Sequence, residues 1–444
     1  MGSAGEWESK SAEARSLAAP VGPLGLPRPA YDGRSVANLL PTIVRALGRE
    51  FSGGPPLAPP LTAELDPFRG RRAEGPVVVV QVDGFGWHPF LEWAHSGSSL
   101  HAADWAGRAR PITTVFPTTT VSALTSISSG VPPGRHGLVG PLQYLPRLGI
   151  VADVLRMSRS DRPGAEELVG PGWSPSDVSG VPSVFRRGVH GAVLTRRQFD
   201  GTGFNRVLYD GAEFVGYSSA SDMAHLLDEL LRRPNPPSLI LAYWDELDTV
   251  NHLRGLNRGL FEFEAQRLAH LVAHVAGRAD SATGRNTQVF VTADHGQVAV
   301  DPARQIRVDL IPEISDEMAR PLAGDRRAGY FTARWGRLEA LHAALDRKLP
   351  SGSRVIAMSE AVSAGLYGPP PHHPELVERL GDLLALVPVP SGLLTPRLRV
   401  ESRSPEFLGA HSGLEPEELV VPLISGRLAE FRRPEPSAGA PAQL

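Results

Sequence analysis

The 444-residue sequence contains no cysteine. Disulfide staples, thiolate nucleophiles and cysteine-ligated zinc are therefore excluded. Lysine is nearly absent as well: of 45 basic residues only Lys10 and Lys348 are lysine, the rest arginine. An anionic ligand would thus meet planar, bidentate guanidinium groups. Neither sign of charge is in excess, the formal net charge being −3, so there is no general electrostatic reason to bind nucleic acid or an anionic membrane. No apolar run approaches membrane-spanning length. The opening "MGSAGEWESKSAEARSLAAP" lacks a basic segment followed by an apolar core, and its Met-Gly-Ser start is no convincing lipidation site. A cytoplasmic protein without nucleic-acid or membrane partners is the expectation, and nothing in the sequence addresses its oligomeric state.

What is present is an ordinary globular composition, 41% hydrophobic, long enough for one large α/β domain with an insertion or for two domains. Residues 1–75 are rich in Pro, Gly and Ala, with one helix expected at 35–51 and an extended wrap after it. Val77–Val82 reads as a strand buried on both faces, as do 238–244 and 287–293. Between them, 120–129 reads as a helix stopped by Gly130, and 223–232 and 260–276 as amphipathic or strong helices. Strands alternating with helices predict an α/β fold with a mostly parallel central sheet covered by helices on both faces. The expected division is an extended and helical segment over 1–75, a core over 76–143 and 217–428, a cap-like insertion over 144–216, and a tail of disordered composition over 429–444. No internal repeat is evident.

Ligands of open parallel sheets bind beyond the carboxyl ends of the strands, and potential metal ligands fall there. The first buried strand ends in Asp83. The second is followed by "DELDTVNH", which supplies Asp248 and His252 one helical turn apart. The third runs into Asp294 and His295 of "TADHG", and "GAHSG" adds His411 near the C-terminus. Each piece alone has a plain alternative. A strand-end aspartate can cap the next helix, the Asp-x-x-x-His spacing arises by chance, and a histidine in a Gly-rich loop, such as His411 or His136, is usually a solvated loop residue. Together, three carboxylates and three imidazoles without sulfur suit zinc, with manganese or iron as alternatives. Thr120 opens the helix that follows "FPTT", where backbone amides and the helix dipole favour an anion. Its plain alternative is an N-cap.

At this point the sequence resembles the alkaline phosphatase superfamily, and within it the type I phosphodiesterase/nucleotide pyrophosphatase family. The resemblance covers roughly residues 77–424, with motifs in the family's order: "VVQVDGFG", "FPTTTVSALTSISSGVPPGRHGLVG", "YWDELDTVNH", "VTADHG" and "GAHSG". It implies an alkaline-phosphatase-like fold with an inserted cap that shapes specificity. It also implies two divalent cations, one held by Asp248, His252 and His411 and the other by Asp83, Asp294 and His295, with Thr120 both the exchangeable ligand and the nucleophile. The implied activity is hydrolysis of phosphodiester or pyrophosphate bonds in small-molecule substrates through a phospho-threonine. The alternative is a phosphomonoesterase or phosphonate hydrolase of the same superfamily. Two cations about 4 Å apart can clamp both oxygens of an in-line displacement, and one cation makes an alkoxide accessible at neutral pH.

The sequence departs from that pattern at Ala123, where relatives carry an asparagine. It is expected to leave an apolar wall beside the nucleophile, which favours an ester substituent over a charged oxygen. Arg110, Arg135, Arg196, Arg197 and Arg254 are available to receive a monoester's third oxygen, but no spacing points any of them at Thr120. Phe85, Trp87, Phe90, Tyr144 and Trp244 are candidates to stack on a base, with core packing the more economical role.

Overall fold

The computed structural model describes residues 4–51, 55–96, 99–161, 164–394 and 407–432. Its centre is a seven-stranded sheet. From edge to edge the strands are Ala109–Thr113, Val420–Arg427, Gln288–Ala293, Val77–Val82, Leu239–Trp244, Gly191–Arg196 and Glu213–Tyr217. Val420–Arg427 runs antiparallel to both its neighbours. The pairings from Gln288–Ala293 to Glu213–Tyr217 are all parallel. Every residue of Val77–Val82, Leu239–Trp244 and Gln288–Ala293 is buried, as four consecutive valines and their like require in a sheet covered on both faces.

Register does the next part of the work. Val82 pairs with Trp244 on one side and Ala293 on the other. The residues that follow these three, Asp83, Asp245 and Asp294, therefore leave the sheet at one level. Helices pack over the sheet, among them Ala220–Arg232 and the 21-residue Arg258–Arg278, whose buried side includes Phe261, Leu268, Leu271 and Val275. No helix of the described residues is long and apolar enough to cross a membrane.

A second, antiparallel seven-stranded sheet lies alongside. Its order is Arg354–Ala357, Leu383–Leu386, Ala328–Phe331, Ala323–Gly324, Leu142–Leu145, Ile150–Asp153 and Ser158–Arg159. It is joined from two stretches far apart in the chain.

This arrangement corrects the expected inserted cap over 144–216. Gly191–Arg196 and Glu213–Tyr217 are strands of the central sheet, and Leu142–Asp153 pairs within the second sheet. The mixed pattern of that region arises because its strands serve two sheets. The N-terminal helix expected over 35–51 is shorter. A 3-10 turn, Val36–Asn38, capped by Ser35, leads into Leu39–Ala46, and Gly48 at φ 71° ends it. A further helix, Ala4–Leu17, is tied down by Lys10 Nζ donating to Ala106 O at 2.7 Å. At the other end, Leu428–Phe431 forms a turn with Leu428 and Phe431 buried, so the ordered chain runs past the expected tail boundary. Residues 433–444 lie outside the described residues.

Candidate active site

The level strand ends bring the first ligands together. Asp83 follows Val82 and is succeeded by Gly84 at φ 75°. A Cβ at Gly84 would stand 3.2 Å from Asp248 Cα and 3.3 Å from its Cβ. The glycine therefore serves twice, adopting a left-handed turn and letting the helix Glu246–Arg254 approach the strand end. Asp248 lies in the first turn of that helix and His252 one turn on. Asp294 and His295 leave the third strand, where Asp294 Oδ1 accepts from the backbone N–H groups of His295 at 2.9 Å and Gly84 at 3.2 Å.

His411 sits in a loop laced to the segment before Thr120. Its Nδ1 donates to Thr118 O at 3.0 Å, Ser412 N donates to Thr118 Oγ1 at 2.9 Å, and Thr118 Oγ1 donates to Gly413 O at 3.1 Å. A buried ion pair, Arg327 Nε to Glu418 Oε1 at 2.9 Å, backs this loop.

All six candidate ligands thus converge. Asp83, Asp294 and His295 offer donor atoms within 4.8 Å of one another, as do Asp248, His295 and His411. His252 Nε2 lies 3.2 Å from Asp248 Oδ1, and the His295 ring stacks on His411 at 3.8 Å between centroids. His295 thus stands between the two expected sets rather than wholly inside one.

Two observations test whether a cation fits. First, Asp83 Oδ1 and Asp294 Oδ2 are buried without a hydrogen-bond partner, and His295 Nε2 is 3.4 Å from each. Buried carboxylate oxygens left unpaired are costly, and a cation between them removes that cost. Second, each histidine turns the same nitrogen outward. Nδ1 donates to Gly409 O in His252, to Gly296 O in His295 and to Thr118 O in His411, at 2.7, 3.1 and 3.0 Å. A carbonyl can only accept, so the Nε2 lone pairs face the cluster, as in metal-binding imidazoles held by a backbone partner. The carboxylates are held similarly, Tyr243 donating to Asp83 Oδ2 and Gln297 to Asp248 Oδ1.

The titration behaviour agrees. Burial pushes the Asp83 carboxyl well above its ordinary range, and the neighbouring Asp248 and Asp294 push it further. Burial raises Asp294 too. Burial opposes ionisation of Asp248 as well, but His252 overrides it and holds that carboxyl low. Burial and then His295 drive His411 well below the usual imidazole range. The protein alone does not balance three carboxylates at this spacing, and a bound cation would.

Thr120 begins the helix Thr120–Ser129, but the cap is Thr119, whose Oγ1 accepts from Ser122 N. The Thr120 hydroxyl is left for other work, and its Oγ1 lies 3.1 Å from His295 Nε2. It faces two cavities. One, of about 320 Å³, is lined by His252, His411, Arg156, Arg326 and Phe407; the other, of about 600 Å³, by Asp83, Tyr243, Leu124, Phe199, Phe204 and Leu208.

Several expectations change here. Ala123 is fully buried in the core and lines neither cavity. The apolar walls are Leu124 and Leu155 instead. His136 is no solvated loop residue. It is fully buried, accepts from Leu138 N at Nδ1, pairs with Ser126 Oγ at 3.0 Å, and is pushed down to about 3 by burial. Phe85, Trp87, Phe90 and Trp244 are core residues. Tyr144 lies beneath the Arg320 guanidinium. None of the five expected arginines lines either cavity. Arg196, for instance, is bound to Asp245 and Glu246. Arg156 and Arg326, which the sequence did not single out, line the smaller one, as no periodic pattern marks a residue at the tip of a turn.

A parallel sheet with carboxylates and imidazoles at its strand ends, gathered around a helix-terminal hydroxyl, defines a metal-dependent hydrolase of the alkaline-phosphatase-like fold. Residues 77–388 match the model of the type I phosphodiesterase / nucleotide pyrophosphatase family, and the chain belongs to that family. Among curated proteins none matches the sequence. Among solved structures, human ectonucleotide pyrophosphatase/phosphodiesterase 5 is similar with a TM-score of 0.60 at 15% identity, over 79% of this chain and 87% of that one. The inactive murine protein in complex with AMP gives 0.59 at 17% identity, over 79% and 87%. Phosphonoacetate hydrolase from Sinorhizobium meliloti, in complex with phosphonoacetate, gives 0.54 at 20%, over 83% and 94%. These structural likenesses carry the fold. The family is one of metal-dependent hydrolases that act on phosphodiester or pyrophosphate bonds.

Proposed function

We propose that this enzyme hydrolyses phosphodiester or diphosphate linkages of small molecules at a centre of two divalent cations, zinc foremost, with Thr120 as nucleophile. Asp83, Asp294 and His295 would hold one cation together with Thr120 Oγ, and Asp248, His252 and His411 the other. The observation that carries this reading is the pair of unpartnered buried carboxylate oxygens facing His295 Nε2, which in turn lies 3.1 Å from Thr120 Oγ1. When bound, such cations lower the pKa of a coordinated hydroxyl or water and neutralise charge on the leaving oxygen.

The chain's own groups do the rest. Thr120 Oγ, its proton lost to solvent, bonds to phosphorus from the helix N-terminus. The bond to the leaving oxygen breaks and its electron pair departs with that oxygen. Water then adds to phosphorus, the bond to Thr120 Oγ breaks, and the threonine regains a proton. Backbone amides at the start of the helix receive a non-bridging oxygen. Leu124 and Leu155 give one side an apolar wall.

The two cavities flanking Thr120 suit a phosphorus that carries a substituent on each side, which favours diesters and diphosphates over monoesters. The test is kcat/KM on bis-(4-nitrophenyl) phosphate and 4-nitrophenyl phosphate with metal-loaded protein, corrected for intrinsic reactivity. A diester preference is expected, and absence of turnover on either ester with zinc, manganese or iron bound would overturn the reading.

A further inference from the structure

We propose that Arg156 and Arg326 form a subsite for a leaving group that carries its own negative charge, a phosphate or diphosphate. The inference rests on the function proposed above and adds the polarity of its substrate. In the proposed reaction Thr120 Oγ1, 3.1 Å from His295 Nε2, shares the cation of Asp83, Asp294 and His295. In-line departure therefore carries the leaving oxygen toward Asp248, His252 and His411, whose imidazoles line the smaller cavity. Arg156 and Arg326 line the same cavity.

Both arginines stand on built turns. Arg326 lies at the tip of the hairpin joining Ala323–Gly324 to Ala328–Phe331. Its Nη1 donates to Gln305 Oε1 at 3.0 Å, and its guanidinium stands 4.6 Å from the centroid of the Phe407 ring. Arg156 lies in the turn between Ile150–Asp153 and Ser158–Arg159. Asp153, itself buried, accepts from Arg156 N at 3.1 Å. Met157 takes φ 44°, a conformation of sparse occupancy for a non-glycine residue, and its side chain is buried. Strain of this kind persists only where packing over-determines it. Leu155 and Arg156 line both cavities, so this turn stands across the mouth of the site between them.

The two cavities differ in charge. The larger is walled by Leu124, Phe199, Phe204 and Leu208 and edged by Glu166 and Asp245, a setting that suits a neutral or apolar group and repels an anion. The smaller sets Arg156 and Arg326 against Asp248 and Asp325, whereas the larger sets Arg156 alone against Asp83, Glu166, Asp245 and Asp248; the smaller is thus the less negative, and a phosphate or diphosphate binds bidentately to arginine. The substrate is thus oriented: the organic part stays on phosphorus in the larger cavity, and the charged part leaves through the smaller.

The experiment uses metal-loaded full-length protein with Arg156→Ala, Arg326→Ala and Arg326→Lys. Three substrates are compared: ATP, which releases diphosphate; bis-(4-nitrophenyl) phosphate, whose leaving group is uncharged until it departs; and phosphonoacetate, which carries a carboxylate. A lost charge-assisted contact is expected to lower kcat/KM on ATP about tenfold per arginine. The loss on bis-(4-nitrophenyl) phosphate should be several-fold smaller, and Arg326→Lys should recover part of it. The inhibition constant of inorganic diphosphate should rise by a similar factor, which reports binding independently of turnover. Arg156 is exposed, so its replacement keeps the test alive should Arg326→Ala fail to fold. Equal losses on ATP and the neutral diester, or an unmoved diphosphate constant, would overturn the subsite while leaving hydrolysis of the diester, and so the proposed function, intact. A loss confined to phosphonoacetate would overturn the phosphate assignment in favour of a carboxylate.

Discussion

At the scale of single residues, Thr119 and Thr120 divide two tasks that the sequence shows side by side. Thr119 caps the helix and Thr120 faces the cluster. Thr120→Ala is expected to lower kcat by several orders of magnitude while circular dichroism and metal content stay near wild type, because the protein ligands remain. Thr119→Ala is expected to cost about 1 kcal/mol of stability through the lost cap and to retain measurable turnover. Near-normal rates for Thr120→Ala would move the nucleophile to a bound water. The six candidate ligands were legible because they fall in four short motifs beside strand ends or in a Gly-flanked loop. Their partners were not. Tyr243 on Asp83 and Gln297 on Asp248 are single residues whose meaning depends on a neighbour 160 and 49 positions away.

Among the elements, the meeting of strand Val77–Val82 with helix Glu246–Arg254 fixes the distance between the two ligand sets. Gly84→Ala tests it directly. The added methyl would need φ 75° and would press on the Asp248 backbone at 3.2 Å, a strain of about 1–2 kcal/mol from conformation alone. The expected outcome is a lower Tm and less metal per chain by elemental analysis, since Asp248 must retreat. Full metal content in a stable Gly84→Ala protein would show that the helix yields without moving its ligands. The three central strands could be read from their valine-rich runs, because burial on both faces leaves that pattern. The second sheet could not. Its strands are as short as two residues, and Leu142 pairs with Gly324 across the chain, a contact that no local periodicity encodes. The expectation of a cap over 144–216 failed for the same reason, since strand content alone does not say which sheet a strand will join.

For the whole molecule, the buried carboxylates couple folding to metal and to pH. Asp83 and Asp294 have folded-state pKa values above their unfolded ones. In metal-free protein the folded state then holds more protons, and the stability those groups contribute in acid is lost as pH rises through the raised values. Asp248 has the opposite shift, but its contribution is complete once pH exceeds the ordinary carboxylate range. Above that range His252, whose pKa is raised, adds to that fall, and His411, whose pKa is lowered, opposes it. The gain in Tm on adding zinc is expected to grow with pH from about 5 to 8, as binding also requires deprotonated ligands. Thermal denaturation with and without chelator across that range measures it, and a metal-independent Tm at every pH would remove cations from the site altogether. Protein prepared without chelator should carry about two divalent ions per chain.

The lacing of Thr118 to the loop 411–413 has a consequence for how this site can diversify. Three hydrogen bonds fuse Thr118, two residues before the proposed nucleophile, to His411, Ser412 and Gly413, the first of them 293 positions later. The proposed nucleophile and one proposed metal ligand are thereby tied into a single rigid piece. The turn holding Leu155 and Arg156 belongs to the neighbouring sheet and can be rewritten without disturbing that piece. New substrates could then be acquired by exchanging a few turn residues, while the machinery that breaks the bond is passed on unchanged.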